Sequence, residues 1–373
     1  MVTHDQRMRR RARRIGLGAR VVTAADALST VRALFPTVPL PPPLVRSIPA
    51  HLLRDTDPIF DSLRAEYQPD FEGWLKKCKR QQRPVWLVER DQAYAGICIV
   101  NDEPKPEFGL TGRVLKLCTF KISDRHLGFR YGELLLKTIF EYLAANQFDH
   151  TFIEVLPHHE ELCALLADFG FEERARIVRG QRLLAKALKP PPDSASLKPY
   201  DFHVRYGPRH LKIDGVQGYI APIQPRYHEM LFPDAERQLS MVPTSRAFGN
   251  SIRKAYLCGS MIRCLEPGDF LLFYRSHDLR AVTTVCVVED VLVSTDAVEI
   301  ARFVGKLTVY NYEEIEQMAR KPVLAVLFRL ARILDTPWSL ELIKRSGVVR
   351  APPQSFASIP KGVTEWLIHQ LAA

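Results

Sequence analysis

The sequence predicts two regions of different class: an α/β region built on a mixed sheet with helices, followed by an α+β region of short strands that forms a small β-barrel with flanking helices. The length of 373 residues exceeds the ~100–150 of an ordinary domain, so two cores are expected. The stretch KPPPDSASLKP at 189–199 puts three consecutive prolines and small polar residues between two regions of periodic apolar pattern, the composition of an exposed linker. Before it helix and strand patterns alternate; after it short apolar strands dominate. The expected organisation is a basic arm and proline-rich segment at 1–45, a first domain at 46–188, the linker at 189–199 and a second domain at 200–373.

Residues 1–20 carry seven arginines against the single Asp5, a net +6 that leaves only +4 of the formal +10 to the other 353 residues. Such an arm either grips nucleic-acid phosphates or is a solvated tail. No apolar run follows it, so a secretory signal is not expected, and no segment approaches the ~20 apolar residues of a membrane span. A cytoplasmic protein with no membrane partner is the expectation. Ala27, Val31 and Leu34 stand near helical spacing, after which VPLPPPL forces extended chain.

The first domain reads as a helix over 70–81, a hairpin of strands at 84–89 and 93–100, and a strand VLKLCTFKI at 114–122. Gly128 and Gly132 then sit in a turn that opens a helix whose apolar face is Leu135, Ile139 and Leu143, with Leu136 and Phe140 beside them. The strand FIEVL follows at 152–156, then a helix that Gly170 of DFGF stops.

A strand that ends in a glycine turn and feeds a helix presents unpaired amides at the positive end of the helix dipole, a geometry that binds pyrophosphate. The order of strand, glycine turn, amphipathic helix, strand, helix and terminal Gly-Phe, over about 100 residues, resembles the GNAT acetyltransferase superfamily. The resemblance implies acetyl-CoA, or another acyl-CoA, as cofactor. Its pyrophosphate would rest on the turn Gly128, Phe129, Arg130, Tyr131 and Gly132, and its pantetheine arm would run beside Phe120, Lys121 and Ile122. Leu127 stands where the family often has arginine, and Arg130 replaces its middle glycine; a charge-assisted contact from Arg130 to phosphate is expected.

Acetyl transfer to an amine needs a base for the ammonium proton and an acid for the leaving thiolate. The family's glutamate on the central strand has no counterpart in VLKLCTFKI, and Leu166 stands where its tyrosine is expected. Glu154 and His158, with His159 beside it, are the candidate replacements. Their alternatives are a solvated strand residue and ordinary polar residues at a helix start.

The second domain reads as VQGYIAPI, KAYLCGSMIRC, FLLFYRS after a Pro-Gly-Asp turn, AVTTVCVVEDVLV, helices at 296–304 and 311–319, and PVLAVLFRL. This pattern resembles the PUA-like group with its ASCH and EVE domains, which implies RNA or modified bases as ligands. Asn250, Ser251, Arg253, Lys254 and Tyr256, with Arg275, Ser276 and His277, are the candidates on turns beside the strands: cations for phosphate and Tyr256 or Tyr274 for stacking. Ser251 and Lys254 also satisfy Ser-x-x-Lys, but a helix cap explains that spacing more simply than a nucleophile.

Seven cysteines scattered through apolar stretches read as reduced core thiols, and without a CxxC pair no metal site is expected. The combined order resembles bacterial proteins in which a PIN-type nuclease precedes GNAT and PUA-like domains, with no nuclease expected in this chain. The function implied is an acyl-CoA-dependent N-acetyltransferase whose accessory domain presents a nucleic-acid or ribonucleoprotein substrate. The alternative is a non-catalytic acyl-CoA-sensing or RNA-binding module.

Overall fold

This computed structural model describes residues 45–105, 107–235 and 251–372, with scattered positions before residue 45. Most of the basic arm, and Asn250, lie outside the described residues. In the first region the order is β1 (Val45–Pro49), α1 (Asp61–Glu66), α2 (Phe71–Arg80), β2 (Pro84–Arg90), β3 (Ala93–Glu103), β4 (Val114–Ile122), α3 (Tyr131–Ala145), β5 (His150–Val155), α4 (Glu160–Asp168), β6 (Glu172–Arg176) and β7 (Arg182–Ala187). The strands form a sheet in the order β1-β2-β3-β4-β5-β7-β6, antiparallel except for β4 against β5. The class is mixed α/β, as the alternation predicts.

The period-2 alternation of β2 and β3 divides their side chains between two cores. Trp86, Val88, Cys98 and Val100 face Leu135, Ile139, Phe140 and Leu143 of α3. Val85, Leu87, Ile97 and Ile99 face Phe71, Leu75 and Cys78 of α2. The apolar face foreseen for α3 is thus the one it buries.

The second region continues with α5 (Pro199–Tyr206), β8 (Gly218–Ile223), α6 (Pro225–Leu231), β9 (Arg253–Cys258), β10 (Phe270–Arg275), β11 (Ala281–Ser294), α7 (Ala297–Val304), α8 (Tyr312–Met318), β12 (Val323–Ser339), α9 (Leu340–Arg345), β13 (Ala357–Ser358) and α10 (Thr364–Ala372). KAYLCGSMIRC is strand only to Cys258, and PVLAVLFRL begins a strand that runs on to Ser339. The sheet order is β13-β8-β10-β11-β12-β9. Register shifts between Val282 and Thr284, Val285 and Cys286, and Val288 and Asp290 curl the long β11–β12 pair. The expected barrel is not closed by backbone pairing among the described residues; the Tyr256 hydroxyl of β9 instead donates to the Pro222 carbonyl of β8 at 2.7 Å.

The segment 189–199 is contacted by the chain that follows it. Its side chains are mostly exposed, but Lys212 Nζ donates to the carbonyls of Ala195 and Leu197 at 2.6 and 2.9 Å. Lys186 of β7 donates to those of Val204 and Arg205 at 3.1 and 2.6 Å. Ile252, at the entry to β9, belongs to the first region's core. No helix among the described residues is long and apolar enough to cross a membrane.

Two buried lysines make stability pH-dependent. Burial, with the Arg329 charge, pulls Lys186 down to about 7, and burial, with Lys137, pulls Lys254 down to about 7. Each stays protonated in the unfolded chain up to about 10.4. Between these values the unfolded state binds more protons, so stability rises with pH, by up to ~1.4 kcal/mol per unit for each lysine. Urea midpoints at pH 7, 8 and 9 are expected to climb, and Lys186→Met to flatten the climb; equal midpoints would show both lysines charged in the fold.

Candidate functional site

The parallel contact between β4 and β5 is partial. Val114 to Leu117 pair with His150 to Ile153, while β3 pairs along β4 as far as Ile122. From Cys118 to Ile122 the β5-facing edge of β4 therefore has no strand beside it among the described residues, and these five residues line a cleft of 1410 Å³. An extended chain with amide groups can hydrogen-bond to such an edge as another strand would. Phe120, Lys121 and Ile122 line it.

Where β4 ends, Asp124–His126 makes one 3-10 turn, and the backbone enters the left-handed region at Gly128 (φ +77°) and Arg130 (φ +62°). Such alternation brings successive amides to one side. The helical ladder of α3 starts with Leu134 N–H donating to the Arg130 carbonyl, so the amides of Tyr131, Gly132 and Glu133 precede its first bond. Gly128 and Gly132 both line the cleft. A Cβ on Gly132 would stand 2.9 Å from Leu165 Cδ2, so glycine here lets α3 approach α4 closely.

Arg130 makes contacts that the sequence did not indicate. A side-chain-bearing residue in the left-handed region costs about 1–2 kcal/mol, and its guanidinium offsets this at the junction of the two regions. It is paired with the buried carboxylate of Glu133 and donates to the Arg253 carbonyl at 2.8 Å. Glu133 also accepts the Arg253 backbone N–H. The Arg130 guanidinium is thus engaged with β9, while the residue lines the cleft.

Arg253 is an interface residue as well. It donates to Glu289 at 3.0 Å and to Asp168 of α4 at 3.2 Å, while Arg329 donates to Glu289 at 3.1 Å and to the Asp168 carbonyl at 2.6 Å. Lys306 reaches the glycine turn from the second region, donating to the Gly128 carbonyl and lying 5.3 Å over the Phe129 ring.

Glu154 is paired with Lys116 across the parallel strands at 2.6 Å, each side chain about a quarter exposed. His158 and His159 precede α4 and meet a residue that sequence reasoning did not single out, Glu66 at the end of α1. His158 Nε2 lies 3.3 Å from Glu66 Oε1 and His159 Nε2 3.2 Å from Oε2. The three side chains line the cleft with Glu154. The α4 face toward the cleft is apolar, with Leu162 and Leu165, and Leu166 is fully buried in the core. Cys118 also lines the cleft; burial pushes its thiol up to about 11, so it is no thiolate at neutral pH.

The nucleic-acid candidates separate into two groups, and several of the placements on exposed turns are corrected. Arg253, Lys254 and Tyr256 lie within β9 and Arg275 within β10. Ser251, Lys254 and Arg275 are buried, Arg275 being held by Asp278 at 2.5 Å and Glu229 at 3.2 Å, which leaves its charge neutralised. Tyr256, Tyr274, Ser276 and His277, by contrast, converge on one 650 Å³ pocket with Tyr227, Tyr310 and Arg280. The rings of Tyr227 and Tyr310 are 4.8 Å apart. Two short segments touch both sites: 253–256 runs from the Glu133 junction to Tyr256, and 306–310 from the Gly128 carbonyl to Tyr310.

Residues 50–171 match the model of the acetyltransferase (GNAT) family, which makes this stretch a GNAT acetyltransferase domain. No curated protein matches the chain. Among solved structures, ASCH from Zymomonas mobilis is similar at 13% identity over 41% of this chain and 94% of its own, TM-score 0.32. A ribosomal-protein-alanine N-acetyltransferase from Brucella melitensis is similar at 19% identity over 39% and 99%, TM-score 0.30. A GNAT family acetyltransferase from Elizabethkingia anophelis with acetyl-CoA bound is similar at 13% identity over 39% and 98%, TM-score 0.28.

Proposed function

We propose that the cleft binds acetyl-CoA, or another acyl-CoA, and that the chain transfers the acyl group to an amine. The observation that carries this reading is the unpaired stretch of β4 from Cys118 to Ile122, which ends at the amide-bearing turn of α3. The strand edge takes the amides of the pantetheine arm, and the amides of Tyr131, Gly132 and Glu133 take the pyrophosphate. In the transfer, the amine loses a proton, its nitrogen bonds to the thioester carbonyl carbon, the C–S bond breaks, and the thiolate is protonated. Glu154 and His158 are the residues assigned to these proton movements.

A second reading, acyl-CoA binding without transfer, is favoured by one feature: α4 offers Leu162 and Leu165 to the cleft and carries no hydroxyl side chain of its own to protonate the thiolate. Calorimetric titration with acetyl-CoA, followed by an assay for free thiol in the presence of small amines, separates the two. Heat with thiol release that falls in Glu154→Gln and His158→Ala supports transfer. Heat without release leaves a sensor, and no heat removes both readings.

The second region, on this proposal, is the accessory module, and its aromatic pocket takes a base of single-stranded RNA or of a ribonucleoprotein. The close Tyr227 and Tyr310 rings supply stacking, and Arg280 at the same pocket supplies positive charge. Tyr227→Ala is expected to weaken binding of short RNAs by about 1–3 kcal/mol per stacked base. Tyr256 is a poor target for this test, since its ring packs edge-on against Phe273 at 5.4 Å within the core. Equal affinity of the Tyr227 variant and the parent would remove the base from this pocket.

A further inference from the structure

Glu66, His158 and His159 come from two separate parts of the chain, the end of α1 and the turn after β5, and meet at one point of the cleft wall. Their carboxylate and imidazole ligand atoms all lie within 4.8 Å of one another. They are the one such group of three metal-ligating side chains found among the described residues. We propose that they form a site for a divalent transition metal, zinc first, with its remaining coordination position open to the cleft.

Donor chemistry and spacing both support this. Two imidazole nitrogens and one carboxylate oxygen suit zinc and its neighbours in the first transition row, whereas calcium and magnesium prefer oxygen alone. In a tetrahedral site with bonds of about 2.0–2.1 Å, ligand atoms stand roughly 3.3–3.4 Å apart. His158 Nε2 lies 3.3 Å from one Glu66 oxygen and His159 Nε2 3.2 Å from the other, and with one ligand atom per residue within 4.8 Å of the others side-chain rotation alone would draw the three to that spacing. The Glu66 side chain is 23% exposed, that of His159 33% and that of His158 61%, so the site has a wall and an open side.

Three protein ligands with a vacant fourth position are the arrangement of a metal that holds water or substrate. Water bound there ionises near pH 7, and as hydroxide it accepts a proton to become water again. With metal bound, His158 Nε2 is a ligand and this water takes over the proton movement assigned to His158; only this last role rests on the acyl-transfer reading, and the binding of metal does not.

The test uses the full chain, untagged and stripped with a chelator. Zn2+ is titrated by calorimetry, and Co2+ is followed by its visible absorption. One equivalent should bind, with a rise in Tm. His158→Asn, His159→Asn and Glu66→Gln should each weaken it by roughly a hundredfold or more, since loss of a ligand exceeds the 10–100-fold typical of groups behind the ligands. His150→Asn should change nothing. Far-UV circular dichroism and Tm of the metal-free variants keep a folding defect apart from loss of the site. Absence of a binding heat at micromolar metal would overturn the proposal, as would equal affinities of the three variants and the parent. Acetyl-CoA titrated separately into the metal-free chain keeps the failure of one proposal distinguishable from failure of the other.

Discussion

Glu133→Ala is expected to lower the stability of the chain by about 3–5 kcal/mol, because it leaves the Arg130 guanidinium without its counter-charge in a buried site. Both side chains are largely enclosed, at 14% and 6% exposure, and Glu133 also holds the Arg253 backbone N–H. Removing the carboxylate therefore strands a cation and a main-chain donor together. The measurement is urea unfolding of the full chain at fixed pH. The double variant Arg130→Met/Glu133→Leu should recover most of the loss, since a buried ion pair replaced by apolar groups of similar volume is often neutral in stability. A small effect of Glu133→Ala, below about 1 kcal/mol, would mean that water reaches this junction and that the two regions are not clasped through it.

The second large effect concerns the cofactor. Gly132→Pro is expected to reduce acetyl-CoA affinity by on the order of tenfold to a hundredfold, the worth of one hydrogen bond to a charged group, about 1.5–3 kcal/mol. Gly132 lies in the first turn of α3, where proline is tolerated but donates nothing. Gly128 is unsuited to the same test, because its φ of +77° is closed to proline. Gly132→Ala is the control: it places a Cβ against the Leu165 methyl, the end of a flexible side chain, and keeps the N–H. Loss of affinity in the proline variant alone assigns the amide to the pyrophosphate. Equal loss in both would assign it to crowding between α3 and α4 instead.

Local pattern by itself determined the elements of the first region from α2 to α4 and the face that α3 buries. The 3.6-residue spacing of Leu135, Ile139 and Leu143 is recorded in the chain and needs no partner to be read, and the strand VLKLCTFKI has the bounds that the structure gives β4, Val114–Ile122. The glycine turn was legible for the same reason, since left-handed backbone and helix starts are local events. The strands β1, β6 and β7 and the short helices α1, α5, α6, α9 and α10 were not foreseen; with 5 to 9 residues each, they are too short for periodicity to mark them, and packing sustains them.

What only the tertiary structure decided was the employment of charge. Arg130, Arg253, Lys254 and Arg275 read as accessible cations for phosphate because sequence carries no sign of burial for an isolated basic residue. Glu133 and Asp278 stand only three residues from Arg130 and Arg275, but Glu289 meets Arg253 across 36 residues and Glu133 takes the Arg253 backbone N–H across 120. Glu66 and the histidines are separated by 92 and 93 residues, and they meet because α1 and the β5–α4 turn pack at the same end of the sheet. A carboxylate, an imidazole or a guanidinium takes its role from the group it meets, and that meeting is set by the packing of distant elements rather than by neighbours in the chain.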